Sequence, residues 1–201
     1  MAGINADLTS FVRWMEHGLS ESGLKLKKQD EKDALGHGYS LVTPSVFLHA
    51  YQNTGRPVSN LPSVLATLQG VTYEKDMVRY SVRLTLGVWN SGTHNEDVFI
   101  PQDGMPVYER KQEPSYEKQS DSCTPDLATF IDTVARFIRR DGTEVGIEAE
   151  DLTFHIVEDD ELQTAGFRFA TCDVTVGTWT PTFRRNEGTE EPSGENIETL
   201  L

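Results

Sequence analysis

The chain is predicted to be an α+β protein, a mixed and mainly antiparallel β-sheet with two helices packed on it. Three stretches carry that prediction. In residues 78–89, Val78, Tyr80, Val82, Leu84, Leu86 and Val88 alternate with Arg79, Ser81, Arg83, Thr85, Gly87 and Trp89. Successive side chains of a strand leave opposite faces of a sheet, so this is a strand with one buried face. In residues 126–140, Leu127, Phe130, Ile131, Val134, Phe137 and Ile138 recur at the spacing of a helix with one apolar stripe. Residues 152–180 then close the pattern with two further strands.

Taken in order, Leu8, Phe11, Val12, Met15 and Leu19 recur at helical spacing, with Asp7, Arg13, Glu16 and His17 on the other face. Asn5 or Asp7 suits the start of that helix, and Gly18 or Gly23 its end. An apolar stripe gains nothing in water, so the helix must lie on another element. Residues 25–38, with Lys25, Lys27, Lys28, Asp30, Glu31, Lys32 and Asp33, are expected to be a charged, solvated connector. Ser45–Tyr51 is predicted to be a short, mostly buried strand, and residues 53–62, with Gly55, Pro57 and Pro62, a loop. Val64–Tyr73 is predicted to be a strand that turns through Glu74, Lys75 and Asp76 into the strand at 78–89, forming a hairpin.

Residues 91–124 are weakly patterned and contain Pro101, Pro106 and Pro114. They are expected to be a long inserted loop. Loops beyond about 12–15 residues in a compact domain are usually functional or disordered. Val98, Phe99, Ile100, Met105, Val107, Tyr108 and Tyr116 are too many apolar groups for a linker, so the insertion is expected to order against a partner. The helix that follows has Thr124 as its expected cap and Pro125 in its first turn. Asp126 complements its positive end, Arg136, Arg139 and Arg140 complement its negative end, and Asp141-Gly142 stops it.

Leu152, Phe154 and Ile156 alternate with Thr153, His155 and Val157, which predicts a strand. A charged turn around residues 158–164 leads to a last strand at 166–180. There Phe167 and Phe169 share one phase and Cys172, Val174 and Val176 the other, predicting a bulge or change of face near Ala170 and Thr171. Residues 185–201 are rich in Glu, Gly, Pro and Asn and are expected to be a disordered acidic tail. The domain organisation is thus a single domain over residues 1–184 and a tail.

Composition narrows the partners. Lys and Arg total 18 against 32 Asp and Glu, a formal charge of −14. A field of that sign repels phosphates and anionic bilayers, so neither nucleic acid nor membrane is an expected partner. No apolar run approaches the roughly 18 residues a membrane helix needs. No basic region followed by an apolar run marks a secretory signal near Met1, so the product is expected to be soluble and cytosolic. Cys123 and Cys172, the only cysteines, match no disulfide framework or zinc spacing and are expected to be free thiols.

Chemistry-bearing residues are scattered. His17, His37, His49, His94 and His155 include no pair at the spacing that places two imidazoles on one metal. Glu158-Asp159-Asp160-Glu161 lacks the glycine-spaced pattern of a calcium loop. Gly36-His37-Gly38 lacks the frame of a phosphate-binding loop, and Ser122 and Cys123 have no partnered base in view. The expectation is a non-enzyme with no cofactor, no metal and no catalytic residue. Its candidate interface residues are Trp89, Phe99, Tyr108, Tyr116 and Trp179, large aromatics at strand ends or within the insertion. Tryptophan often anchors interfaces, whereas Trp89 and Trp179 equally suit stacking across a sheet.

The strand RYSVRLTLGVW (79–89), the helix PDLATFIDTVARFIRR (125–140) and the closing LTFHIVEDDELQTAGFRFATCDVTVGTW (152–179) resemble, in that order, the tail terminator (tail completion) proteins of long-tailed bacteriophages. The resemblance covers residues 40–182. The insertion at 91–124 is long for that family, and residues after Thr182 have no counterpart in it. The resemblance implies a homo-hexameric ring that caps the growing tail tube, halts its polymerisation and offers a surface to the head connector. It implies partners in a second copy of the chain, the tail tube protein and the head connector protein. It also implies a place at the head-proximal end of the virion tail, after assembly in the host cytoplasm. Another head–tail connector or tail component, or a soluble host ligand-binding domain using a sheet face, are the alternatives.

Overall fold

The computed structural model describes residues 4–30, 38–50, 60–75, 77–90, 93–101, 108–116, 123–147, 152–158 and 166–179. The chain is an α+β fold. Helix α1 (Ile4–Glu21) is followed by strands β1 (Leu26–Gln29), β2 (Tyr39–Val42), β3 (Ser45–Leu48), β4 (Ser63–Tyr73) and β5 (Met77–Trp89). Strands β6 (Thr93–Pro101) and β7 (Tyr108–Tyr116) precede helix α2 (Cys123–Asp141) and a 3-10 turn (Gly142–Val145). Strands β8 (His155–Val157) and β9 (Phe167–Trp179) complete the order. The main sheet runs β3-β4-β5-β9-β8, with β3 parallel to β4 and the remaining pairs antiparallel.

The alternation in β5 does what its period requires. Val78, Tyr80, Val82, Leu84, Leu86 and Val88 are buried. They lie opposite Thr178, Val176, Val174, Cys172, Ala170 and Arg168 of β9, and Val64 and Ala66 of β4 join them from the other side. The apolar stripes of the helices, Leu8, Phe11, Met15 and Leu19 with Leu127, Phe130, Val134, Phe137 and Ile138, complete this core. Each such side chain is worth about 1.5–3 kcal/mol when removed from water. The Tyr80 hydroxyl donates to Asp7 Oδ2 at 2.8 Å and fastens α1 to the central strand.

Several expectations are corrected. Asn5 and Asp7 both lie inside α1, and so does Gly18. A Cβ on Gly18 would stand 2.0 Å from Phe137 Cζ, so this glycine lets α1 and α2 approach. The left-handed residue beyond the helix is Gly23, at φ +69°. Thr124 lies within the first turn of α2, which begins at Cys123. Residues 25–38 are not wholly a loop, because β1 and β2 pair antiparallel from Leu26↔Val42 to Gln29↔Tyr39. The strand expected from Leu152 is confined to His155–Val157.

Of the bulge or change of face expected near Ala170 and Thr171, the bulge is absent: β5 and β9 pair without a register shift from Met77↔Trp179 to Trp89↔Phe167. Phe167 and Phe169 instead face away from the helices. There Phe169 sits directly opposite Gly87, and a Cβ on Gly87 would stand 2.7 Å from the Phe169 ring. The bare glycine makes room for the aromatic, which explains two phases in one straight strand. The register shift in the sheet lies in β4, between Leu68 and Gly70.

Arg83 and Asp173 are directly opposed on the helix-free face, where Arg83 Nε and Nη2 donate to the two carboxylate oxygens at 2.8 and 2.9 Å. Those hydrogen bonds, with the guanidinium charge, hold the Asp173 carboxyl below its ordinary value. The pair therefore adds stability above the unfolded carboxylate pKa of roughly 4 and loses it as pH falls through the depressed folded value. The expected effect is small because the pair is solvated. Asp173→Asn should flatten the acid limb of a Tm-against-pH profile, and an unchanged limb would show that the pair contributes nothing.

Candidate assembly arm and its buried stem

The expected loop at 91–124 contains a β-ribbon. Strands β6 and β7 pair antiparallel from Thr93↔Tyr116 to Pro101↔Tyr108 and form a two-stranded sheet of their own. The ribbon is inserted between the last residue of the central strand and the first turn of α2. A strand pair outside the core sheet need not alternate apolar and polar residues, which is why its sequence carries no period-two signal.

The two ends of the insertion meet in a buried polar cluster. Asn90, 7% exposed, follows Trp89 at the end of β5, and Cys123, 3% exposed, opens α2. The Cys123 thiol donates to the backbone carbonyls of Asn90 at 3.3 Å and Gly166 at 2.7 Å. The Asn90 amide nitrogen Nδ2 donates to Asp126 Oδ2 at 2.8 Å, and Lys27 Nζ donates to Asn90 Oδ1 at 3.1 Å. Asn90 thus bridges an ammonium and a carboxylate, using the acceptor and donor of one amide. The Asn90 backbone N–H donates to the Gly166 carbonyl at 2.9 Å.

Electrostatics hold this cluster in balance. Burial pushes the Lys27 ammonium below the ordinary lysine range, while the charge of Asp126 opposes the shift. Lys27 Nζ also lies 4.7 Å from the centroid of the Tyr39 ring. That contact explains why a lysine-rich segment pairs as β1 and β2: Lys27 is drawn inward and Leu26 is 4% exposed. Asp126 stands in the first turn of α2, where the helix dipole favours a negative charge.

Removing Asn90 would leave a half-buried lysine and a carboxylate without their shared partner. Asn90→Ala is expected to lower unfolding free energy by about 1–3 kcal/mol, read by urea denaturation. Asn90→Asp should fare no better, since it replaces the Nδ2 donor with an acceptor beside Asp126. A fully stable Asn90→Asp chain would mean that the amide bridge carries no weight.

The candidate interface residues fall on three different strand pairings or strand ends. Trp89 is 3% exposed and lies opposite Phe167, so its ring is packed within the subunit and offers no anchor to a partner. Phe99, Tyr108 and Tyr116 fall on the ribbon, opposite Arg110, Pro101 and Thr93 respectively. Trp179 lies opposite Met77, at the far end of the β5–β9 pair from Trp89. Residues 185–201, the expected tail, lie outside the described residues.

Lys27, Asn90, Cys123 and Asp126 were not legible as a cluster. The local signals were a turn-forming Asn-Ser-Gly after a strand and an acidic residue in a helix's first turn, and neither names the other. Elsewhere a groove of about 680 Å³ between α1 and α2 is lined by Gly18, Glu21, Thr133, Arg136, Phe137 and Arg140. Its arginines pair with Asp132 and Asp141. Among the described residues no group of three or more His, Cys, Asp or Glu is placed to hold a metal, and no helix is long and apolar enough to cross a membrane. No protein-family model matches the chain, and no curated protein matches it in sequence.

Proposed function

We propose that this chain is a structural subunit of a long-tailed phage virion, a tail terminator. It assembles as a homo-hexameric ring on the end of the tail tube, stops tube growth and presents a joining surface to the head connector. The observation that supports this most is the β-ribbon carried on a buried stem. Its two ends are held together by Asn90, Cys123 and Asp126, so the insertion is anchored at its base and can extend from it.

Two further features agree with an assembly subunit. The helices cover one face of the main sheet, and the other carries Arg79, Ser81, Arg83 and Thr85, in which polar side chains keep a contact surface soluble. The order of strand, helix and closing strands is the order expected of the family the sequence resembles. A ring requires a heterologous interface that closes on itself, which an arm and a separate receiving surface supply.

The test is mass by light scattering behind a sizing column over a wide concentration range, followed by negative-stain imaging with and without purified tail tubes. Six-subunit rings, free or seated on tube ends, are the expected result. A chain that stays monomeric and leaves tube ends uncapped would overturn the reading. A ring seated between tube and connector that leaves tube length unregulated would point to a neighbouring joining protein.

A further inference from the structure

We infer that the ribbon of one subunit adds its β6 strand to the open edge of β4 in the next copy of this chain. The inference rests on the ring reading above and names the contact that would close the ring. It begins from a deficit. A lone two-stranded ribbon is marginal in water, and a third strand or a packed helix is needed for independent stability. Strands β6 and β7 pair with each other and with no further strand among the described residues.

The same chain carries a matching vacancy. Strand β3 covers β4 only from Ser63 to Ala66, and the His49 N–H closes that side with a 2.8 Å bond to the Ala66 carbonyl. Beyond it no strand among the described residues pairs with the outer side of β4. Gln69, Gly70, Thr72 and Tyr73 are exposed, Tyr73 at 71%. Thr67–Tyr73 holds neither a charge nor a proline, two devices by which proteins blunt such an edge. The bulge at Gln69 divides it, leaving Gly70–Tyr73 as an uninterrupted receiving run.

The ribbon's own sequence selects the donor. Strand β7 contains Pro114, which has no N–H to give to a ladder. Strand β6 reaches Ile100 without a proline, so alternate residues from Thr93 to Ile100 present both N–H and C=O along its outer edge. Strand addition of this kind takes its affinity from main-chain hydrogen bonds.

Geometry assigns the acceptor to another copy. The ribbon leaves the sheet beside Trp89, whereas Thr72 pairs with Arg79 near the opposite end of β5. The ten steps of strand from Arg79 to Trp89 span roughly 33 Å. The nine residues of β6 extend only about 30 Å, at roughly 3.3 Å per residue. Strand β6 is about as long as that separation, and among the described residues it pairs with β7 and not with its own β4. Donor and acceptor at opposite ends of one subunit make a head-to-tail contact, the kind that generates rings.

The test is amide hydrogen exchange on the full chain across the concentrations over which it assembles. Exchange in Thr93–Ile100 and Gly70–Tyr73 should slow together by about tenfold or more as oligomers form. A chain carrying Thr72→Lys and Tyr73→Lys, both at exposed positions, should keep the monomer's melting temperature and need at least about tenfold more protein to assemble. Rings that form with both segments exchanging as in the monomer would overturn this contact and leave the ring reading standing. Protection of both segments in a strict monomer would place the strand in its own subunit and overturn it as well. A chain that stays monomeric with neither segment protected overturns the contact too, and tube-end capping then decides the ring reading separately.

Discussion

Deletion of residues 94–120 is expected to leave a folded chain that no longer assembles. The deletion leaves residues 91–93 and 121–122 to join Asn90 to Cys123. The Cys123 thiol already lies 3.3 Å from the Asn90 carbonyl oxygen, so a short turn closes the gap without moving either residue. Among the described residues the core is built from α1, α2, the main sheet and the segments beside them, and these are expected to hold the fold. Shortening a loop also lowers closure entropy, though only by about 0.6 kcal/mol per halving of length. The melting temperature should therefore hold or rise slightly while ring formation is lost at every concentration. Circular dichroism and light scattering on the same sample separate the two effects. If the shortened chain fails to fold, the insertion is part of the core and the arm reading is lost.

Gly146→Ala should be among the most damaging single changes away from the helices. Gly146 follows the 3-10 turn at φ +73°, a left-handed conformation that costs an L-residue about 1–2 kcal/mol. A Cβ there would also stand 2.0 Å from the Gly177 carbonyl oxygen. That oxygen belongs to backbone in a paired strand, so it cannot swing aside as a side-chain tip would. Moving it disturbs the Gly177 N–H bond to the Gly146 carbonyl, 2.9 Å long, and the bridge of Ile147 to Val176. Overpacking of this kind costs typically about 1–3 kcal/mol, so the total loss should be roughly 2–5 kcal/mol. Against a typical stability of about 5–15 kcal/mol, that is a large fraction, measurable by urea unfolding. Gly146→Asn separates the two causes, since asparagine tolerates the left-handed region but still carries a Cβ. It should lose most of the same stability, and an Asn variant as stable as the parent would show that the Gly177 carbonyl is no obstacle.

The parts of the fold that were readable are those whose signal is local. Alternation in residues 78–89 reports a face, and the stripes of α1 and α2 report what each helix buries, because helical and strand periods are properties of one segment. The hairpin of β4 and β5 was readable for the same reason, its turn lying between two strand patterns. The candidate site was only partly legible. Phe99, Tyr108 and Tyr116 lie on the two paired strands of the insertion, yet the insertion was expected to be a loop, since its sequence displays no apolar period. Trp89 was misleading: a tryptophan at a strand's end can face a partner or its own sheet, and the ring opposite, Phe167, lies far away in sequence.

By itself, then, the sequence determined the α+β class, the central strand, both helices and the net acidic charge. Only the tertiary structure decided the order β3-β4-β5-β9-β8, the straight register of β9 and, among the described residues, the unpaired outer edge of β4. It also decided the union of Lys27, Asn90, Cys123 and Asp126. Those features depend on hydrogen bonds between groups far apart along the chain. A hydrogen bond leaves no periodic trace in either segment, because its free energy exists only once folding has brought donor and acceptor together away from water.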